Sequence, residues 1–242
     1  MPKLAASKAL VEDLVAASRI LAEHEVLDAY GHVSARSDKR PEHFIMSRSR
    51  APALVTAADL IEWGADGEPA RREKRKGFIE RYIHGEIYRA RPEVMAVVHS
   101  HSPSIIPFGI TDVPLRPIYH MSSFLGAGVP VFEIREAGGA ATDMLIRDPA
   151  LGAAVARKLG ESAVVLMRGH GNVVVGGSVR EVVFRAVYTE VNARLEADAL
   201  RLGQGQVVFL NDEEAKNSTA TNRGQITRAW DLWKAKALGA NR

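Results

Sequence analysis

The stretch AVVLMRGHGNVVVGG, residues 163–177, sets two apolar runs on either side of a histidine flanked by glycines. Short β-branched runs bounded by glycine favour strands, so it reads as a strand, a tight turn and another strand. Directly after it, Ser178 and Glu181 stand at capping-box spacing and open a long helix through residue 202. Directly before it, RDPALGAAVARKLG (147–160) has a helix start at Asp148-Pro149 and a glycine stop at Gly160.

Further upstream, VMAVVHSHSP (94–103) is a buried strand running into a loop. GFIERYIHGEIYRA (77–90) precedes it with a helical period through Phe78, Tyr82, Ile83 and Ile87. Residues 3–27 carry Leu4, Leu10, Leu14, Ile20 and Leu21 on an amphipathic helix. DAYGHVSARS and HFIMSRSRAP follow as strand-like pieces, then TAADLIEW as a helical turn into a strand. SIIPFGITDVPLRPIYHM (104–121) is broken by three prolines and is no regular element, and GVPVFEI is a short strand. Strands cluster in the middle with helices on either side, which predicts one α/β domain over 1–210. A tail over 211–242, with a short helix bearing Trp230 and Trp233, is expected to pack on the domain or on a neighbouring subunit.

Composition narrows the function. With 46% hydrophobic and 25% charged residues, the 242-residue chain matches a soluble globular protein able to bury a sizeable core. It has no cysteine, so there is no disulfide, thiol nucleophile or thiolate metal site, and a bound metal must use His, Asp or Glu. A net charge of +3, with acids interspersed even in RREKRK (71–76), argues against a nucleic-acid partner. No apolar run reaches membrane-spanning length and Lys8, Glu12 and Asp13 interrupt the first helix, so the expectation is a cytoplasmic protein without a membrane partner.

The histidines carry the chemistry. His99 and His101 stand two apart at a strand end, so both side chains can reach one ion, although two ordinary loop histidines would leave the same pattern. His170 tilts the balance, because Gly169 and Gly171 let the backbone come close and the imidazole point into a cleft. Three histidines at the ends of β-rich runs can hold a divalent ion and leave coordination positions open for substrate. Spacing alone leaves Glu80 as a helix-surface residue paired with His84 one turn on.

GHVSAR, GFIERYIHGEIYRARPEVMAVVHSHSP and LMRGHGNVVVG, in this order and spacing, resemble the class II aldolase/adducin family over roughly residues 8–202. The resemblance implies a three-layer α/β/α sandwich around a mainly antiparallel sheet. It implies His99, His101 and His170 as metal ligands and Glu80 as the carboxylate that handles the proton. It also implies one divalent ion per subunit, zinc or manganese with iron or cobalt as further choices, and a homo-oligomer, usually a tetramer, with sites near subunit interfaces.

The departures point to a branch. The sugar-phosphate enzymes of this family carry Asn where His32 stands, small hydroxylated residues where Phe78 and Ile79 stand, and a glycine in the segment matched by SRSRAP (47–52). Three elements of a phosphate pocket are altered together, and a phosphate dianion needs several donors. The pattern resembles the metal-dependent decarboxylases of hydroxylated aromatic or pyridine dicarboxylates, and implies a small-molecule carboxylate as substrate. Its carboxylates would meet His32, Arg36, Ser47, Arg48, Ser49, Arg50 or His84, with guanidinium forks suited to planar carboxylates. SRSR alternates, so the two serines share one face and the two arginines the other. His120, or Tyr119 beside it, falls where the aldolases carry a protonating tyrosine. The competing readings are an aldolase for a hydroxy-acid or sugar-derived substrate, separable by aldehyde production without CO₂, and a non-catalytic adducin-like scaffold, which lacks the metal histidines this chain retains.

Overall fold

The computed structural model describes residues 4–126 and 128–239, so the ends of the predicted first helix and of the tail (residue 3 and residues 240–242) lie outside the described residues. Ser7 caps α1 (Lys8–Glu23) by accepting from the Leu10 N–H. Strands β1 (His32–Arg36), β2 (His43–Ser47) and β3 (Leu60–Gly64) follow, and then α2 (Arg81–Ala90) and β4 (Ala96–Ser100). After a run of 3₁₀ turns come β5 (Val131–Phe132), α3 (Arg135–Gly138) and α4 (Pro149–Leu159). The hairpin β6 (Val164–Met167) and β7 (Gly171–Gly176) leads into α5 (Val179–Leu202), and α6 (Asp212–Arg223) and α7 (Ile226–Ala237) close the chain.

One seven-stranded sheet in the order β3-β2-β1-β4-β7-β6-β5 forms the middle layer. Every pairing is antiparallel except the short parallel edge of β5 on β6. Alternation along the strands splits the core in two. Val33, Ala35, Ile45, Ala96, Val98, Val164, Leu166 and Val174 pack with α1, α5 and α7. Phe44, Met46, Ile61, Trp63, Val97, Val165, Val173 and Val175 pack with α2 and α4. The result is the three-layer sandwich that the resemblance implied.

The predicted ends of α4 hold, with the Asp148 side chain accepting from Leu151 N–H and Gly160 at φ 52°. Two expectations shift. The tail carries two helices rather than one, and Trp230 and Trp233 are buried on the domain's own first core. The helix read over 77–90 begins only at Arg81, with Glu80 as its N-cap at φ −86° and ψ 19°. No described helix is long and apolar enough to cross a membrane.

Strand register decides where the histidines meet. His32 at the start of β1 is the partner of His99 near the end of β4, and His99 is the partner of Val173 in β7. The β6–β7 turn bearing His170, the loop after β4 bearing His101 and the N-terminus of α2 therefore gather at one end of the sheet.

Candidate active site

Glu80, His99, His101 and His170 each offer a ligand atom within 4.8 Å of the others. Glu80 and His99 are buried, whereas His101 and His170 are half-buried and form the open side. The turn that delivers His170 needs its glycines. Gly169 sits at φ 62°, and a Cβ on Gly171 would overlap the carbonyl oxygen of Ser100.

Each imidazole is fixed through its Nδ1. His99 Nδ1 lies 3.1 Å from the Asn172 carbonyl oxygen, His170 Nδ1 2.9 Å from the Met144 carbonyl oxygen, and His101 Nδ1 3.3 Å from Asp28 Oδ2. All three partners accept only, so Nδ1 carries a proton in each ring, and in the neutral ring Nε2 presents a bare lone pair to the centre. The Nε2 atoms of His101 and His170 then stand 3.2 Å apart, lone pair against lone pair. His99 Nε2 is buried without an aligned hydrogen bond, although Glu80 Oε2 is 3.2 Å away. Converging bare imidazole nitrogens with outward N–H groups anchored on oxygen are the donor set of a divalent-cation site. The residues present fit the ion that the resemblance implies.

Glu80 is held in place by its other oxygen, as Oε1 accepts from the Ile146 N–H at 3.0 Å. Burial opposes its ionisation, but His99 and His170 outweigh burial and hold the carboxyl well below the usual range. His170 is displaced the other way, because Glu80 at 3.5 Å raises it despite burial. Burial and the neighbouring His99 and His170 depress His101.

The remaining predicted residues separate into those at the cluster and those spent elsewhere. His32 is buried beside it, with its ring 5.2 Å from His99 and 4.4 Å from Phe78 between centroids. His84 does not pair with Glu80. It is fully buried behind His32, with Nε2 2.7 Å from His32 Nδ1, so it is not a direct substrate contact. Arg36 ends β1 about 13 Å along the strand from His32 and gives its donors to the carbonyls of Pro41, Tyr88, Arg91 and Val94. Those bonds take it out of substrate binding. Arg48 and Arg50 share Asp59, at 2.7 Å and 3.5 Å, and Arg50 also donates to the Leu54 carbonyl. Ser47 is buried on the Ile45 face of β2, opposite to His99, and Ser49 is exposed with its N–H on the Lys76 carbonyl. His120 is exposed at the start of a 3₁₀ turn next to Tyr119 and does not join the cluster within one chain.

Sequence reasoning missed Asp28, Met144 and Ile146. Asp28 is an ordinary loop acid in the sequence. Met144 sits at φ 72°, a left-handed position with no glycine or asparagine to announce it. Both it and Ile146 act through backbone groups.

The class II aldolase and adducin N-terminal domain family matches residues 12–197. The chain is 41% identical over 244 residues, 92% of each chain, to the decarboxylase tropJ of Talaromyces stipitatus. It is 33% identical over 216 residues, 84% of each chain, to a 3,4-dihydroxyphthalate decarboxylase of Terrabacter sp.. Among solved structures, an aldolase II superfamily protein from Pseudomonas syringae shares the fold at a TM-score of 0.79 with 21% identity, covering 96% of this chain and 93% of that one.

Proposed function

The chain belongs to the class II aldolase and adducin family, and on that premise we propose that it is a metal-dependent lyase releasing CO₂ from a hydroxylated aromatic or heteroaromatic carboxylate. The observation that carries this reading is the pairing of an intact metal cluster with an altered neighbourhood. Phe78 lies on His32 beside the cluster, where a sugar phosphate would need small hydroxyl donors. The decarboxylase names of the relatives support the same class.

His99, His101 and His170 would hold the ion through Nε2, and zinc, manganese, iron and cobalt all suit such donors. When bound, a divalent cation supplies a Lewis acid that stabilises negative charge on a neighbouring oxygen, here a hydroxyl ortho to the departing carboxylate. Glu80 is the proton carrier. As the substrate binds, ionised Oε2 takes the proton of the ortho hydroxyl. As the carbon–carbon bond breaks and CO₂ leaves, the electron pair left on the ring carbon takes that proton back, and solvent re-protonates the product's phenolate oxygen. Ile146 keeps Oε1 occupied, so Oε2 is the atom that turns over. Buried His32 and Phe78 exclude water from the flank and give the ring an apolar face. A second carboxylate would meet His32 and the terminal nitrogens of Arg48, which have no partner among the described residues.

A homotetramer completes the proposal. Leu195, Leu202 and Val208 are exposed near the C-terminal end of α5, as an interface between copies would require, and His120 would reach a site only from a neighbouring copy. The test is CO₂ release from a panel of ortho-hydroxy aromatic mono- and dicarboxylates by zinc- or manganese-loaded protein. Aldehyde production from a hydroxy acid or sugar derivative, with no CO₂ across the panel, would overturn the decarboxylase in favour of an aldolase.

A further inference from the structure

Behind the site runs a buried line of polar side chains. Tyr88 Oη lies 2.8 Å from Ser34 Oγ, Ser34 Oγ 2.7 Å from His84 Nδ1, and His84 Nε2 2.7 Å from His32 Nδ1. None of the four residues is more than 3% exposed. Burial disfavours a charged ring, and neither imidazole has a carboxylate within hydrogen-bond reach. The acid that bears on them, Glu80, is already committed to the Ile146 N–H and to His99 and His170.

Three contacts between neutral groups hold one proton each, and two directions are open. If His32 Nδ1–H donates to His84, and His84 Nδ1–H to Ser34, one hydroxyl proton is stranded. Either Ser34 donates to Tyr88 and the Tyr88 proton has no acceptor, or Tyr88 donates to Ser34 and the Ser34 proton has none. If the line runs the other way, Tyr88 O–H donates to Ser34, Ser34 O–H to His84 Nδ1, and His84 Nε2–H to His32 Nδ1. Every internal donor is then paired. Both directions leave one of the four protons outside the three contacts. The first strands it on an enclosed hydroxyl, whereas the second places it on His32 Nε2, which is not among the fully enclosed side-chain atoms without a partner. An enclosed stranded donor is costly enough to favour the second direction by about tenfold or more. That direction leaves the proton of His32 on Nε2, the nitrogen that has no partner within the protein.

We propose that Tyr88, Ser34 and His84 are positioning residues that fix His32 as an Nε2–H donor at the cluster, where it reads an anionic oxygen of the substrate. The strand pairing of His32 with His99 puts the ring at the cluster's flank, and Phe78 against its face limits rotation. A carboxylate or phenolate oxygen is the acceptor such a donor selects. The recognition half of the inference rests on the carboxylate reading above, whereas the proton arrangement does not.

The first test is nitrogen NMR on zinc-loaded protein labelled with ¹⁵N-histidine, with His32 assigned by its loss in His32→Asn. A protonated Nε2 and bare Nδ1 on His32 are expected, and a proton on Nδ1 overturns the relay. The second test titrates salicylate, an ortho-hydroxy carboxylate, calorimetrically into zinc-loaded variants. His84→Gln keeps an N–H donor towards His32 and is expected to bind within about threefold of the unsubstituted protein, whereas His84→Leu is expected to bind about tenfold more weakly. Equal affinity of the two variants at equal zinc content, or no salicylate binding by the unsubstituted protein, overturns the recognition role. Neither readout needs turnover, so a failure to release CO₂ is told apart from a failure of the relay.

Discussion

Replacing Asp28 by asparagine changes a single atom that faces the metal site from outside. Asp28 Oδ1 accepts from the N–H groups of Tyr30 and Gly31 at 2.8 Å and 3.0 Å, so this oxygen must stay where it is in the asparagine. The new amide NH₂ then replaces Oδ2, which lies 3.3 Å from His101 Nδ1. Donor meets donor. His101 must either turn away or move its proton to Nε2, and both withdraw a lone pair from the centre. Losing an outer partner of a metal-bound histidine weakens binding by about 10–100-fold. The contact is long and the Asp28 side chain is 49% exposed, so solvent screening puts the effect at the low end. The expected loss is about tenfold, or about 1.4 kcal/mol. Competition for zinc against a chromophoric chelator measures it, with His101→Ala as the reference for complete loss of the ligand. A zinc affinity within twofold of the unsubstituted protein would refute the argument that Asp28 holds His101 in its metal-binding tautomer.

Three further outcomes follow from the geometry. Glu80→Gln retains zinc stoichiometry but loses CO₂ release by about 10²–10⁴-fold, because the amide cannot carry the proton; retained turnover would remove Glu80 from the mechanism. Gly171→Ala drives a methyl into the Ser100 carbonyl and is expected to destabilise by about 3 kcal/mol, lowering Tm in calorimetry by roughly 6–12 °C. Glu196 is fully buried, and burial pushes its carboxyl up to about 7 from an ordinary 4.5. The folded state thus holds a proton that the unfolded chain has released, and stability falls as pH rises from 4.5 through 7. Glu196→Gln should match the unsubstituted protein at pH 4 and exceed it in Tm at pH 8; parallel pH profiles of Tm would contradict this.

The features legible in the sequence are those carried by side-chain type and spacing. Short valine-rich runs announced β4, β6 and β7, Asp148-Pro149 and Gly160 bounded α4, and the glycines around His170 announced the close approach that Ser100 makes. The misreadings share a different cause. Glu80 and His84 are four apart, yet Glu80 is a cap outside the helix, so the helical neighbour rule does not apply and His84 turns to His32 instead. Arg36 looked free for a carboxylate because its four acceptors are main-chain carbonyls, which no side-chain pattern advertises. Ser178 caps α5 as read, but Glu181 reaches past it to the Gly177 N–H, so the box closes one residue early. Arg48 lost Nε to Asp59, whose place beside it depends on β2 and β3 pairing.

The outward anchoring of all three imidazoles has a consequence for any preparation of this protein. Because Asn172, Met144 and Asp28 orient the rings as the chain folds, the ordering entropy is spent before an ion arrives. Three neutral imidazoles suit several first-row divalent ions, so the supply of each ion weighs heavily in which one fills a site built in advance. The metal recovered with the protein will then track the growth medium, and swapping the trace-metal supplement during expression should exchange the bound ion without altering the fold.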